Sequence, residues 1–309
     1  MAADRFASFI QRAAASAAVA ALTAGCGAVA QDAADDPATS GPLSIACHGQ
    51  LAQGGLALCQ TAPGATVEIG GEPASIADDE GWASLGFARD AASSYEVRAV
   101  APDGEISAPV TLEIADREFI ESEVGGLDCD YVAPPRTPEV QAAIARAVEQ
   151  KNAAWRSFAD GEGALGGFIA PGDGDQTSPY GSRRRKYGEG CETVSVHWGL
   201  DLRAPEGSPV NAPASGVVTL ADNLYFEGGA VFLDHGHGLV SIFMHMSEIT
   251  VEEGDVVGAG DQLGLAGMTG TANGPHIHWG LKWRNPHYAD GTTGAFYIDP
   301  ILAMEVLGE

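Results

Sequence analysis

One short segment, Gly274–Trp279, places two histidines a single residue apart after a loop rich in glycine and proline. Side chains alternate between the two faces of a β-strand, so His276 and His278 would share one face and Ile277 the other. Two imidazoles on one face suit a divalent metal ion and a proton-transfer partner. The segment therefore predicts a strand that brings histidines to a site whose other ligands come from elsewhere in the chain.

Charge limits the partners of this protein. The chain has 309 residues, with 16 lysines and arginines against 42 aspartates and glutamates, a formal net charge of -26. The acidic residues are spread through both halves of the chain rather than collected in a tail. Because nucleic-acid backbones bind to basic surfaces, we expect no nucleic-acid partner. The length is sufficient for two domains with a sizeable core.

Residues 1–26 have the pattern of an export signal, with basic residues at the start and an apolar run too short to span a membrane. The letters LTAGC at residues 22–26 resemble a bacterial lipobox, with Cys26 as the lipidated residue. The alternative is an ordinary cleaved signal with an incidental cysteine. Residues 27–42 are small, acidic and interrupted by proline, which predicts a flexible tether.

Residues 43–116 are predicted to form an immunoglobulin-like β-sandwich. Apolar and polar residues alternate over 66–69, 95–100 and 110–114, with glycine-containing turn signals between these segments. Regular short strands of this kind are typical of a sandwich.

Residues 117–168 are predicted to connect this domain to the rest of the chain. Thr137 and Pro138 suit the N-cap and first position of a helix, and apolar residues then recur at helical spacing up to residue 158. We therefore expect a helix over 138–158. Residues 169–309 are predicted to form a domain that is mostly β-structure, with one helix near 300–307.

Two further clusters contain histidine. His197 and Asp201 are four residues apart, which in a straight strand separates them by roughly 13 Å. A bend near Gly199 must therefore bring them together, and glycine permits such a bend. In the segment 240–246, strict alternation would place His245 on the face opposite to Met244.

In this order, the motifs HWGLD at 197–201, MHMS at 244–247 and GPHIHW at 274–279 resemble the M23 family of zinc peptidases, which includes lysostaphin and LytM. The resemblance covers about residues 175–300. It implies that residues 169–309 are a LytM-like peptidase domain with antiparallel β-structure, so that the whole protein is mainly β.

The resemblance also implies roles for five residues. The implied metal ligands are His197, Asp201 and His278. They would bind one Zn²⁺ per chain and leave a fourth position for water. The implied catalytic residues are His245 and His276. They would act as general base and acid and stabilise the oxyanion. Which histidine does which is left open.

The function implied is that of an exported zinc metalloendopeptidase that hydrolyses peptide cross-links of peptidoglycan, with D,D-endopeptidase activity on the stem peptides. We expect a periplasmic protein that contacts the outer membrane through a lipid anchor only, with envelope proteins as candidate regulators. The first alternative is a LytM-like module without catalysis that activates cell-wall amidases. The second is a purely structural envelope lipoprotein. The full set of ligand residues favours catalysis.

A basic run at residues 183–186 precedes these motifs. Such a run is commonly a solvated loop. However, family members carry a turn of similar pattern near the groove, and Gly181 to Arg185 fits it. We therefore expect Arg183 and Arg185 to contact carboxylates of the substrate.

The chain has five cysteines and no CxxC pair, which argues against a zinc ribbon. If Cys26 belongs to the export signal, an even number remains, as expected for disulfides in an exported protein. Four cysteines allow three pairings, and the sequence alone does not choose among them. Proximity favours Cys47–Cys59, which leaves Cys129–Cys191.

Overall fold

The computed structural model describes residues 42–158, 163–288, 291 and 293–308. The predicted export signal with Cys26, and the tether up to residue 41, lie outside the described residues. Residues Pro42–Glu309 make up one compact unit. None of the helices in the described ranges has both the length and the apolar character that a membrane span requires.

The N-terminal part of this unit contains two antiparallel sheets. Its strands are β1 (Ala46–Gly49), β2 (Leu56–Gln60), β3 (Thr66–Ile69), β4 (Glu72–Ile76), β5 (Trp82–Gly86), β6 (Ser94–Val100) and β7 (Val110–Glu113). One sheet has the order β1-β2-β5 and the other β4-β3-β6-β7. Fully buried Leu56, Leu85 and Val97 belong to their core. The immunoglobulin-like character of this region stays a prediction.

A connector follows, with strand β8 (Glu121–Val124) and helices α1 (Cys129–Val132) and α2 (Pro138–Trp155). The Thr137 side chain caps α2 by accepting a hydrogen bond from the backbone N–H of Val140. The helix ends at Trp155 rather than at residue 158. There the Trp155 indole stacks on Phe232, with ring centroids 4.6 Å apart, and its carbonyl accepts a hydrogen bond from buried Arg284.

The C-terminal part is built on strands and one short helix. Its elements are β9 (Gln176–Ser178), β10 (Arg183–Gly188), β11 (Cys191–Val196), β12 (Leu200–Arg203), β13 (Pro209–Asn211), β14 (Gly216–Leu224), β15 (Gly228–Asp234), β16 (Leu239–Met246), β17 (Glu248–Ile249), β18 (Val256–Val257), β19 (Gln262–Leu265), β20 (His276–Trp283), β21 (Phe296–Ile298) and α3 (Pro300–Leu307).

These strands form three sheets. The central sheet has the order β18-β14-β15-β16-β20-β12-β9, with β21 paired to β20, and all of its pairs are antiparallel. A smaller sheet has the order β13-β19-β17. The third sheet, β11-β10-β8, takes its edge strand from the connector, and β8 runs parallel to β10.

The two faces of the central sheet have different neighbours. Phe243 and Trp279 pack in the main hydrophobic core. On the opposite face, Val240 and Ile242 pack with Trp155 of α2. Further along this second face, Met244 and His278 lie opposite each other in register, and both line a cleft. The helix therefore covers one end of this face and leaves the other end for a site.

The N-terminal strands pack directly against the C-terminal part. Trp283 of β20 donates a hydrogen bond to the Ser84 hydroxyl of β5 at 2.9 Å. Arg117 and Asp299 form an ion pair at 2.8 Å. A Cβ atom at Gly86 would lie 2.7 Å from Cγ of Trp283, so this contact needs a residue without a side chain.

Candidate metal centre and cleft

The bend predicted between His197 and Asp201 is present. β11 ends at Val196, the chain turns through residues 197–199, and β12 carries Asp201. A Cβ atom at Gly199 would lie 2.8 Å from the imidazole of His278, so glycine is required for the close approach of the two segments. In register, Asp201 lies directly opposite His278 on β20.

Three buried donor atoms meet at this point. His197 Nε2 lies 3.0 Å from Asp201 Oδ1 and 3.1 Å from His278 Nδ1. His278 Nδ1 lies 2.9 Å from Asp201 Oδ1. In a tetrahedral site with metal bonds of roughly 2.0–2.1 Å, neighbouring donors are about 3.3 Å apart. The three residues are thus a group that could hold a metal ion, and the spacing of their donor atoms fits one.

Hydrogen bonds outside the triad orient its members. His197 Nδ1 lies 2.9 Å from the carbonyl oxygen of Pro179 and 2.9 Å from Nη2 of Arg184, and Nε2 faces the triad. With a metal bound, a proton on Nδ1 would be donated to the Pro179 carbonyl, and the lone pair of Nε2 would be left for the ion. Arg184 binds the other carboxylate oxygen, Oδ2 of Asp201, at 2.5 Å. Because Arg184 holds Oδ2, Oδ1 is turned toward the two imidazoles. Arg184 was not among the predicted site residues, because its only signal in the sequence is membership of the basic run at 183–186.

His245 reaches the same face through a break in strand β16. The β15–β16 register shifts there, since Gly229 pairs with Met246 and Val231 with Phe243. His245 has a φ of 65°, in the left-handed region. The alternation-based prediction that His245 points away from Met244 is therefore wrong. This bulge turns the imidazole back toward the cleft, 5.8 Å from the His278 ring by centroid distance.

His245 and His276 lie side by side, with ring centroids 5.2 Å apart. His245 Nδ1 is 2.8 Å from the carbonyl oxygen of Thr269, and His276 Nδ1 is 2.8 Å from that of Gly274. Both Nδ1 atoms must therefore donate, which leaves each Nε2 as an acceptor. His276 Nε2 lies 3.6 Å from Asp201 Oδ1, at the edge of the triad.

The ionisation of the group suits metal binding. Burial lowers the pKa of His278 to about 4. Burial, together with the charges of His278 and His276, lowers the pKa of His245 to about 3. Burial raises the pKa of the Asp201 carboxyl, but hydrogen bonds from His197 and His278 outweigh it and hold that pKa well below its usual range. At neutral pH the site therefore combines the neutral imidazoles of His245 and His278 with an ionised Asp201 carboxylate.

A cavity of about 670 Å³ opens over these residues. The connector lines part of it and contacts both sides of the cleft. On one side, Cys129 is bonded to Cys191 of β11. On the other, Asn273 donates a hydrogen bond to the Gly125 carbonyl at 3.1 Å, and Tyr225 donates one to the carbonyl of Asp130 at 2.8 Å. The connector thus bridges the cleft from wall to wall.

The remaining cysteines and the two predicted substrate arginines lie elsewhere. Cys47 and Cys59 form a disulfide across β1 and β2. Arg183 and Arg185 are exposed on the outer face of β10 and do not line the cavity. Their guanidinium groups pair with acidic side chains of the neighbouring strands, Glu121, Glu123 and Glu192. Their role in binding substrate stays a prediction.

Two other histidines have structural surroundings. His235 is buried, with Nδ1 2.8 Å from the Ser215 carbonyl and Nε2 2.8 Å from the Ser241 hydroxyl. His237 lies 3.4 Å from a carboxylate oxygen of Asp78. Neither lines the cavity.

Two histidines and an aspartate that converge on one point, with two more histidines beside a cleft, define a metallopeptidase domain. Residues 195–290 match Peptidase family M23. The chain therefore contains a domain of this family, and all five residues that the resemblance implied for the site lie within the matched segment.

Curated relatives are similar to part of this chain. The DD-carboxypeptidase/endopeptidase Mpg of Neisseria meningitidis is 37% identical over 103 residues, which are 33% of this chain and 23% of that protein. The peptidoglycan DD-endopeptidase ShyA of Vibrio cholerae is 38% identical over 88 residues, which are 28% of this chain and 20% of that protein. The chain thus spans less than a quarter of the length of these two relatives.

A solved structure extends the likeness beyond the matched segment. The crystal structure of a candidate M23 peptidase from Pseudomonas aeruginosa superposes with a TM-score of 0.59 at 26% identity, over 83% of this chain and 96% of that one. Because 83% of this chain is far more than residues 195–290, the shared architecture also includes N-terminal elements.

Proposed function

We propose that this protein is a zinc endopeptidase that hydrolyses D,D-peptide cross-links of peptidoglycan. The observation that carries the proposal is the convergence of His197, Asp201 and His278 beside His245 and His276 in the cleft. Two imidazole nitrogens and one carboxylate oxygen are a common donor set for catalytic zinc. When bound, zinc supplies an acidified water and polarises the scissile carbonyl.

The residues of the chain supply the proton transfers. His245 and His276 are held with Nδ1–H on a backbone carbonyl, so each Nε2 can accept a proton from the attacking water and return it to the leaving amine. After accepting a proton, an imidazole can also donate a hydrogen bond to the oxyanion of the tetrahedral intermediate. Arg184 keeps Asp201 in the orientation that leaves Oδ1 for the metal.

The choice of substrate rests on the relatives. Two of them, Mpg and ShyA, are named a DD-carboxypeptidase/endopeptidase and a peptidoglycan DD-endopeptidase. Peptidoglycan lies outside the cytoplasmic membrane, which agrees with the predicted export signal and lipid anchor at Cys26. We extend the proposal to an immunoglobulin-like fold for residues 43–116 and to regulation by envelope proteins.

The test combines metal analysis with digestion of purified sacculi. The wild-type protein should bind one zinc per chain and release soluble, uncross-linked muropeptides. His278→Ala should lose both zinc and activity. His276→Ala should keep zinc and lose about 100-fold or more in hydrolysis, because it acts on the proton rather than on the ion.

Two results would overturn this proposal. Retention of stoichiometric zinc by His278→Ala would remove the ligand assignment. Zinc binding by the wild type without any cleavage of sacculi would favour the alternative of a binding module that activates amidases.

A further inference from the structure

The third sheet presents two different faces. Across β8, β10 and β11, one row of register partners is Ser122, Arg184 and Ser195, and the next is Val124, Lys186 and Thr193. Register partners project to the same side of a sheet. All six of these residues line the cavity.

The other face of this sheet is already neutralised. Its arginines, Arg183 and Arg185, are exposed and pair with glutamates at 3.3 Å or less. The positive charges of the arginines on this outer face are therefore already balanced by glutamates. The inner face, in contrast, carries two cations, Arg184 and Lys186, close to the metal site.

The inner face has hydrogen-bonding groups without partners. Ser122 Oγ, Ser195 Oγ and Arg184 Nε are buried, and no described residue hydrogen-bonds to them. Arg184 itself is only 9% exposed. The half-buried ammonium of Lys186 has no carboxylate within ion-pair distance among the described residues. Buried donors of this kind are costly unless a partner satisfies them.

The carboxylates near Lys186 form ion pairs or hydrogen bonds with other residues. Asp201 is held by Arg184 and by the histidines of the metal site. Glu123 is turned to Arg185 on the outer face at 3.1 Å. Glu227 also lines the cavity, and one oxygen of its carboxylate pairs with Lys151 of α2. No carboxylate of the described residues therefore lies within ion-pair distance of Lys186, and an anion that enters the cleft can pair with it.

We propose that Lys186, together with the hydroxyls of Ser122, Thr193 and Ser195, forms a subsite for a carboxylate of the peptide substrate. A carboxylate accepts several hydrogen bonds at once, and those from an ammonium are the strong, charge-assisted kind. This inference rests on the proposed function, since it concerns recognition by the same cleft.

The position of the subsite follows from the strand. Lys186 lies two residues beyond Arg184, which is about 7 Å along β10, and Arg184 contacts the metal ligand Asp201. An extended substrate also rises roughly 3.3 Å per residue. A substrate that runs along β10 in an extended conformation would therefore place the recognised carboxylate about two residues from the bond that is cut. Ser122 comes from the connector, so the subsite is complete only when β8 is in place.

The test uses two synthetic cross-linked stem-peptide dimers, one with free carboxylates and one with the same groups converted to carboxamides. Lys186→Met should raise KM at least 10-fold for the free-carboxylate peptide, with kcat changed less than threefold. The same variant should leave the KM of the carboxamide peptide within twofold of wild type. Lys186→Arg, which keeps the charge, should recover most of the loss.

The matched control is Arg146→Met, which removes one positive charge from an exposed position of α2. It should leave KM for both peptides unchanged and so exclude an effect of net charge. Equal increases in KM for both peptides with Lys186→Met, or no increase for either, would overturn the subsite.

Calorimetric binding of the two peptides separates this inference from the proposed function. If the wild type cleaves neither peptide, the proposed function fails. The subsite still predicts that Lys186→Met weakens binding of the free-carboxylate peptide at least 10-fold and leaves binding of the carboxamide peptide unchanged. Equal binding of both peptides by the wild type would refute the subsite even in an active enzyme.

Discussion

Arg184 joins the metal centre to the cleft wall. Its Nη2 lies within hydrogen-bond distance of Asp201 Oδ2, His197 Nδ1 and Ser178 Oγ. Such groups outside the ligand set orient the ligands and tune their affinity for the metal. Beside the proposed metal site, this buried guanidinium also balances the charge of the Asp201 carboxylate.

Replacing Arg184 by methionine should weaken zinc binding by about 10- to 100-fold, because the Asp201 carboxylate loses the partner that fixes its rotamer. Competition with a chelator of known affinity measures this. Arg185→Met is the matched control, since it removes an arginine from the outer face of the same strand. An unchanged zinc affinity in Arg184→Met would show that Asp201 is oriented without it.

His245 shows how backbone geometry places a functional side chain. A left-handed conformation at a residue other than glycine costs about 1 kcal/mol or more. Here it accompanies the bulge in β16, and the backbone N–H of His245 bonds to the Glu227 carbonyl at 2.7 Å. The bulge brings the imidazole to the cleft side. A regular strand would instead have directed it to the opposite face, into the hydrophobic core.

At the scale of elements, the connector does more than link two parts of the chain. β8 pairs with the edge of β10, and the Cys129–Cys191 disulfide links helix α1, which follows β8, to β11. A parallel edge strand of only four residues has few hydrogen bonds of its own. The disulfide should therefore contribute much of what holds β8 against the cleft.

Replacing Cys129 and Cys191 by serine should lower the free energy of unfolding by about 4 kcal/mol, since the bridge closes a loop of 62 residues. Amide hydrogen exchange in β8 should accelerate more than in β16. The double variant of Cys47 and Cys59, which opens a loop of 12 residues, should cost only about 3 kcal/mol and leave exchange in β8 unchanged. Equal protection of β8 with and without the 129–191 bridge would contradict this.

At the scale of the whole molecule, residues 42–309 behave as one unit because the N-terminal sheets share a buried boundary with the central sheet. Trp283 is 3% exposed, and its indole packs over Gly86 while it bonds to Ser84. The Ser84 hydroxyl in turn donates a hydrogen bond to the His237 carbonyl at 2.6 Å. We therefore expect a single cooperative unfolding transition.

Gly86→Ala should lower the stability of the whole unit by about 1–3 kcal/mol, because the new methyl group would overlap a buried tryptophan that cannot move aside. Differential scanning calorimetry measures this as a shift of one transition. Gly258→Ala is the control, since its nearest heavy atom would be at an ordinary 3.4 Å. Two separate transitions, with only one shifted, would show that the two parts unfold independently.

The sequence by itself determined those features that depend on local chemistry. Strand alternation and turn residues predicted β3, β6 and β16, and Thr137 with Pro138 predicted the start of α2. The motifs in their order were specific enough to identify the M23 domain, and the spacing of His197 and Asp201 required a bend at Gly199. These signals are local because capping, turns and alternation each involve residues a few positions apart.

Only the tertiary structure decided features that depend on distant segments. The bulge at His245 follows from the pairing of β15 with β16, and the inward position of Arg184 and Lys186 follows from the pairing of β10 with both β8 and β11. Adjacent residues of a basic run alternate between faces, so composition cannot tell which cation enters the cleft. That choice depends on register, and register is settled by contacts between strands up to 62 residues apart in the chain.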